Sequence, residues 1–362
     1  MTLPHTVEEL AALQAEANGR SQSITLCGNS SKIGMGGTIA ASDLTISTAK
    51  LNRVLQYEPR DLTISVEAGI TYGELSRILA EHRQMIPLDP PFSDRATIGG
   101  IVATNASGPR RRLYGTARDM VIGMTFATME GKLIKSGGMV VKNVAGLDMG
   151  KLMIGSFGTL AAICVVNFRL HPMPAATRTF VQRFVGVAEA LAARDAVLKS
   201  ALQPAAIDLV RDAEGYELLI QAGGSRAVLD RYSRELAGAT VVEGEEEVAL
   251  WNGVREFTPQ FLREHAEGAV VRVSCGLSEV GRVMESLPVP SVARAASGVC
   301  YGYFADAREA VRKGVIEFAP AGVRESTELW PEPGSDFAMM KKIKEMFDPH
   351  GLLNRGRLYG RL

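Results

Sequence analysis

The chain has 362 residues, enough for two domains, and its 46% hydrophobic and 22% charged content is that of a folding protein rather than a disordered segment. Lys plus Arg and Asp plus Glu both total 40, so the net charge is zero; a dedicated nucleic-acid binder, with its basic excess, is excluded, and any anion site must be local. The four cysteines, Cys27, Cys164, Cys275 and Cys300, are widely spaced with no C-x-x-C pair, so no iron–sulfur or zinc framework can be read and they are expected as small buried residues in a reducing compartment.

Residues 1–19 hold neither a basic n-region nor an apolar h-region, and no secretory signal is expected. Thr6-Val7-Glu8-Glu9 fits a capping box that opens a helix with Leu10 and Leu13 on one face. Ser23–Cys27 reads as a strand running into the loop GNSSKIGMGG, and Asp43–Thr48 and Leu62–Gly69 read as two more. A second capping box, Thr71–Glu74, precedes the helical ELSRILAEH, and PLDPPF (Pro87–Phe92) then breaks regular structure. Strands are expected at 121–128 and 165–170. Leu152–Phe168 is apolar but falls short of the roughly 20 residues of a span and is interrupted by Gly-Ser-Phe-Gly-Thr, so it reads as a tight loop followed by a buried strand.

The prolines of His171–Arg178 mark a boundary, beyond which Gly-rich loops give way to amphipathic helices and short strands. Residues 188–202 read as helix, 205–210 and 216–224 as strands, and the acidic run Glu243–Trp251 as a solvated helix start. The last residues, FDPHGLLNRGRLYGRL, are rich in turn formers. No internal repeat or low-complexity tail is present.

Three Gly-rich segments fall in the first half: Gly28–Gly37, Thr97–Gly115 and Lys142–Leu160. Glycine lets backbone N–H groups approach a ligand with no Cβ in the way, which suits phosphates. None matches G-x-x-x-x-G-K-[ST] or a strand-to-helix G-x-G-x-x-G, so neither a P-loop nor a Rossmann site is supported. Three such loops in one α/β region point instead to a large bound cofactor.

The segments PLDPPF…ATIGGIVATNASGPRRRLYGTARD, GGMVVKNVAGLDMGKLMIGSFGTLAAI and FDPHGLLNRGRL resemble the FAD-binding flavoproteins of the vanillyl-alcohol oxidase/p-cresol methylhydroxylase (PCMH) type, and within them the FAD-binding subunits of bacterial glycolate oxidase complexes. That resemblance implies an α+β fold: a PCMH-type FAD-binding domain of two α/β subdomains (1–174), a smaller α+β FAD-linked oxidase-type cap domain (175–335), and a C-terminal segment that returns to the first domain (336–362). It places a pyrophosphate-binding turn at Gly28, Asn29, Ser30, Ser31 and Lys32. Pro90 belongs to the strap before the second loop, whose phosphate and flavin contacts fall on Thr97, Ile98, Gly99, Gly100, Ala103, Thr104, Asn105 and Gly108, closed by Tyr114 and Gly115. Gly155, Gly158, Thr159 and Ile163 match a segment beside the flavin and adenine. Asn354 matches the Asn of a terminal N-P-G motif near the isoalloxazine ring, with Arg355 in place of the proline.

Departures from the family pattern refine the expectation. No His occurs in Gly28–Lys32, where covalently flavinylated relatives carry one, so FAD is expected to bind noncovalently. Leu147 and Phe157 stand at positions where many catalytic relatives read differently. Oxidising a 2-hydroxy acid requires a group that takes the hydroxyl proton and cations that hold the carboxylate. Catalytic relatives build a His/His/Glu metal centre in the second domain, but here only His265 among five histidines lies well inside it, so no metal site and no catalytic residue is assigned. His350 is the histidine most apt to approach the flavin, with a turn role favoured. His82 is expected at a helix C-terminus, Lys142 and Asn143 within reach of a cofactor, and Asp148 in a structural role.

The resemblance thus implies an FAD-dependent component of a glycolate oxidase/dehydrogenase, acting with a catalytic flavoprotein subunit and an iron–sulfur subunit that reduces quinone. It implies no transmembrane segment of its own and a cytoplasmic place, peripheral to the inner membrane through partners. A self-sufficient 2-hydroxy-acid dehydrogenase and a non-catalytic assembly subunit are the alternatives. Of Arg110, Arg111 and Arg112, at least one is expected to steady an anion and the others to face a partner.

Overall fold

In the computed structural model, residues 1–139, 148–310, 314–360 and 362 are described. The first helix, Val7–Gly19, starts where Thr6 Oγ1 accepts the Glu9 N–H at 3.1 Å, and it buries Leu10, Ala11, Gln14 and Ala17. It packs beside a short parallel pair, Ile24–Cys27 with Leu44–Ser47, to form a small core with Ile24, Ile46 and Leu51. A five-stranded antiparallel sheet follows in the order Val54–Glu58, Thr63–Glu67, Ala162–Arg169, Val121–Ala127, Leu133–Gly137. Its core takes in the helix Tyr72–Ala80, capped by Thr71, and the short helix Ile98–Thr104, capped by Thr97. The apolar stretch after Ile154 forms the Gly155–Thr159 turn and the buried strand from Ala162, as its pattern predicts.

From Ala176 to Phe318 the chain builds a second, eight-stranded antiparallel sheet in the order Thr240–Val242, Ala176–Phe184, Gly215–Gly224, Ala206–Asp212, Ser291–Arg294, Val299–Phe304, Ala269–Ser274, Val315–Phe318. Strand alternation divides its residues between two faces. Ile207, Leu209, Ala293, Cys300 and Val271 join the large core under the helices Val187–Lys199, Arg226–Glu235 and Val280–Ser286. Their neighbours Asp208, Arg294, Tyr301 and Arg272 therefore stand on the opposite face, toward the first domain. Arg272 and Tyr301 are direct cross-strand partners. On that face Met35, Phe92 and Phe157 of the first domain pack with Val270, Tyr303 and Phe318.

The acidic run does open a helix, Gly244–Arg255, with Glu245 and Glu246 exposed, but it is not wholly solvated. Glu247 is buried and accepts the Thr177 and Thr179 hydroxyls at 2.6 and 2.7 Å, so it ties the helix to the sheet's long strand. Helix periodicity brought that one carboxylate inward, and the hydroxyls that satisfy it sit seventy residues away in the chain.

The end of the chain returns to its beginning. After the helix Phe337–Phe347, Asp348 accepts the Leu352 and Leu353 N–H groups and the Lys344 ammonium at 2.6 Å, while Lys344 also donates to the Thr159 and Leu353 carbonyls. Leu352 and Leu353 then fill the N-terminal core, and Ile24 donates to the Leu352 carbonyl at 2.8 Å. Removing one partner of a buried, hydrogen-bonded ion pair strands the other charge. Asp348→Ala is expected to cost about 3–5 kcal/mol of stability, read from the urea midpoint, whereas substitution of the exposed Glu345 by Ala should shift it little.

Candidate cofactor cleft and the chamber behind it

Four distant pieces of backbone close around one cleft. Strand Ile24–Cys27 delivers the first loop, whose start is fixed by Ser47 Oγ donating to the Gly28 carbonyl and Thr48 Oγ1 to the Cys27 carbonyl, at 2.9 and 3.3 Å. A Cβ on Gly28 would collide with the Thr97 side chain, so only glycine lets the first loop lie against the second. Thr97 itself holds the Gly100 N–H at 3.3 Å and so sets the start of its helix. The third loop docks on the far end of that helix, with Phe157 N–H donating to Ala103 and Gly155 N–H to Val102. Gly158, at φ +70°, leaves room for Asn354.

Asn354 joins the pieces. Its Oδ1 accepts the Leu26 N–H at 2.8 Å, and its amide donates to the carbonyls of Leu26, Phe157 and Gly158 at 3.1–3.3 Å. Nearby, Arg357 donates to the carbonyls of Ile33 and Lys32, at 2.9 and 2.6 Å, and braces the first loop. Burial, with Arg324 close by, holds the Arg357 guanidinium down at about 10. The enclosed space is about 750 Å³ including its open mouth.

The expected site residues divide as follows. Gly28, Asn29, Ser30, Ser31 and Lys32 of the first loop line the cleft, as do Thr97, Gly99, Gly100, Ala103 and Thr104 of the second. Gly158, Ile163 and Asn354 complete it. Asn105 and Gly155 line a second chamber instead, against the cap sheet. Pro90, Ile98, Gly108, Tyr114, Gly115 and Thr159 line neither: Ile98 is core, Gly108 lies against Asp89, Gly115 against Asp119, and Tyr114 meets the His171 ring edge-on. Sequence reasoning did not single out Cys27, Ile39, Thr48, Ala161 or Arg357 as cleft residues. Phe157 lay in the third loop in plain view, whereas nothing local marks Arg357, which reaches the cleft through the C-terminal return. Lys142, Asn143 and Leu147 lie outside the described residues; Asp148 is exposed.

The three arginines part company. Arg110, half-buried, forms a two-pronged pair with the buried Asp89, Nε to Oδ2 at 2.7 Å. Burial pushes the Asp89 carboxyl up, but Arg110 outweighs it and holds it below its usual value. Arg112 donates to the Pro204 carbonyl of the second domain at 3.2 Å. Arg111, whose guanidinium donates to Ser107 Oγ at 3.3 Å, lines the chamber.

That chamber, about 1050 Å³ with its opening, lies between the second and third loops and the polar face of the cap sheet. Arg255, Arg272, Arg294, Tyr301 and Glu317 face into it. It shares Lys32, Thr104 and Phe157 with the cofactor cleft. Neither space is lined by a histidine: His350 and His82 are exposed, and His265 stacks on Phe261. Among the described residues no group of three or more His, Cys, Asp or Glu could hold a metal ion, and no helix is long and apolar enough to cross a membrane.

Lys32 is 7% exposed, and its Nζ has no hydrogen-bond partner among the described residues. Burial lowers its ammonium to about 8, partly opposed by the Glu256 carboxylate. A lysine whose folded value falls below its unfolded one costs stability wherever both states are charged, so the cost is complete below pH 8 and relieved as pH rises toward 10.5. The drop amounts to about 3 kcal/mol. Lys32→Met is therefore expected to stabilise the ligand-free chain at pH 7 by up to about 3 kcal/mol and to flatten the rise in stability between pH 8 and 10.5, both read from urea titrations across that range.

A family model described as "FAD binding domain" matches residues 1–137, and one described as "FAD linked oxidases, C-terminal domain" matches 325–358. The chain is 27% identical to glycolate oxidase subunit GlcE of Escherichia coli (strain K12) over 359 residues, 94% of this chain and 93% of that one. It is 33% identical to D-2-hydroxyglutarate dehydrogenase of Xanthomonas citri pv. viticola over 174 residues, which are 48% of this chain but 37% of that protein. The fold superposes on p-cresol methylhydroxylase with substrate bound at a TM-score of 0.77, covering 99% of this chain and 88% of that one at 14% identity. The chain thus carries an FAD-binding domain match over residues 1–137 and an FAD-linked oxidase C-terminal match over 325–358, on the fold of p-cresol methylhydroxylase, and FAD is its cofactor.

Proposed function

We propose that this chain is the FAD-carrying subunit of a glycolate oxidase-type complex. The observation that carries the reading is the glycine-closed cleft, lined by residues of three loops and of the C-terminal return rather than by a nucleotide fingerprint. Length supports the subunit assignment: GlcE is matched along 93% of its chain, the hydroxyglutarate dehydrogenase along 37%. The FAD domain then spans 1–174, the cap domain 175–335, and 336–362 the returning segment.

In this reading the backbone amides of Gly28–Lys32 hold the cofactor's diphosphate, which leaves the Lys32 side chain free for another ligand, and Arg357 braces that loop from behind. Thr97–Thr104 and Gly155–Ile163 take its flavin and adenine ends. Asn354 spends both ends of its amide on the backbone of Leu26, Phe157 and Gly158, so it positions the loops and does not bond the ring. Bound FAD supplies the two-electron acceptor for oxidation of a 2-hydroxy acid to a 2-oxo acid. With no histidine lining the cleft, attachment is noncovalent.

The widely spaced cysteines support a reading in which another chain carries the iron–sulfur relay to quinone, and the histidine-free chamber supports one in which a catalytic flavoprotein subunit completes the proton chemistry. Such a subunit works in the cytoplasm, held at the inner membrane by its partners.

The full-length chain, purified alone, is expected to be yellow, and to release its FAD into the supernatant on acid or heat denaturation. Gly28→Val should leave it colourless with an unchanged far-ultraviolet circular dichroism spectrum. A colourless wild-type chain that takes up no added FAD would overturn the reading; flavin that stays with the denatured polypeptide would overturn noncovalent attachment.

A further inference from the structure

We propose that the chamber behind the cleft is an anion site of this chain itself, in which Lys32 and Arg111 hold the carboxylate of a small 2-hydroxy or 2-oxo acid, with the Arg294 Nε–H as a further donor. This deepens the function proposed above and rests on it in taking the neighbouring cleft for the flavin's. It departs from the bare subunit reading by giving the acid a place here and not only on a partner.

The charges around the chamber are unevenly matched. Five cationic side chains line it: Lys32, Arg111, Arg255, Arg272 and Arg294. Three already have carboxylates. Arg272 pairs with Glu317, Arg294 with the buried Asp208, and Arg255 with Glu256 at 3.4 Å. Glu256 is itself committed to the N–H groups of Phe92 and Ser93, at 2.9 and 3.0 Å, where it latches the cap domain to the first. That leaves Lys32 and Arg111 as the cations of the chamber with no carboxylate in salt-bridge contact among the described residues.

Their environments differ from those of solvated surface charges. The Lys32 ammonium is buried with none of its three hydrogens donated. Arg294 is buried too; it gives Nη1 to Asp208, yet its Nε–H has no partner. Buried donors are nearly always satisfied, and an orphaned charge is costly, so unspent donors from two elements around one space describe the outline of an absent anion. Tyr301, cross-strand partner of Arg272, adds a phenol that burial and the Glu317 carboxylate hold protonated against the opposing charges of Arg294, Arg272 and Arg111. Met35, Pro91, Phe157 and Phe318 give the wall apolar surface, and Thr104, Asn105, Ser107 and Thr258 add neutral polar groups; the one carboxylate in the lining, Glu317, is taken by Arg272. Cationic donors together with apolar surface suit a carboxylate on a short carbon skeleton. Because Lys32, Thr104 and Phe157 belong to both spaces, an acid held here lies directly against the cofactor cleft.

Oxalate, which cannot be oxidised as a 2-hydroxy acid, tests this by isothermal titration of the full-length chain reconstituted with FAD, alongside inorganic phosphate. Saturable oxalate binding is expected, tighter than phosphate, and weakened at least tenfold in both Lys32→Met and Arg111→Met, while Arg112→Met changes it less than twofold. Bound FAD is read by absorbance on the same samples. Loss of oxalate binding with FAD retained and urea stability preserved supports the proposal, since Lys32→Met is not expected to unfold the chain. Absence of oxalate heat in the wild type, unchanged affinity in the two variants, or tighter binding of phosphate would overturn it. So would a Lys32→Met chain that loses FAD but, once saturated with it, binds oxalate normally, because the lysine would then serve the cofactor. A wild-type chain that takes up no FAD defeats the functional reading instead, and the oxalate titration of that chain still decides the anion site.

Discussion

The cleft depends on the side-chain amide of Asn354. Residues 24–28, 97–104 and 155–159 come from three parts of the chain, and no continuous sheet runs through all of them. Asn354 bonds the first and third through the backbone of Leu26, Phe157 and Gly158, and the third is tied to the second through Ala103 and Val102. The amide itself is positioned by Leu352 and Leu353 in the N-terminal core and by the Lys344–Asp348 pair beneath them. A C-terminal return of a few residues thus holds the cofactor side of the molecule, and packing energy in the first core is converted into loop geometry.

The second organising feature is where charge is buried and whether it is matched. Arg110–Asp89, Arg294–Asp208, Lys344–Asp348 and Arg272–Glu317 are all closed pairs, and each ties segments whose relative placement matters to the two spaces. A buried pair of this kind is weak as a source of stability, but it penalises any arrangement in which its partners separate. Lys32 breaks the pattern. It keeps a desolvated ammonium at the boundary of cleft and chamber with no partner, and so lowers the stability of the ligand-free chain. Local destabilisation of this sort is common where a site is preorganised for an incoming charge.

Much of the fold was legible because it rests on local rules. Thr6 and Thr71 cap the helices their spacing announces, and the alternating strands at 62–69 and 216–224 fall within a residue or two of the observed ones. The Gly-rich loops were recognisable as close-approach backbone, although Thr97–Thr104 is a capped helical turn rather than an open loop, because Thr97 satisfies the Gly100 N–H. Where the reading went astray, a distant partner was responsible. Glu247 is in a run of four acidic residues that looks wholly solvated, and only the hydroxyls of Thr177 and Thr179 explain its burial.

The arginine block marks the division most clearly. Composition and spacing by themselves determined that the chain is neutral, that any positive site is local, and that three segments of the first half are rich in glycine. These depend on residue type and on neighbours a few positions away. Which of Arg110, Arg111 and Arg112 is locked to Asp89, which faces the chamber and which reaches Pro204 was decided only by tertiary structure. Three adjacent guanidinium groups are alike as sequence; they differ because a helical turn aims them about 100° apart, toward surroundings built by segments 20 to 190 residues away.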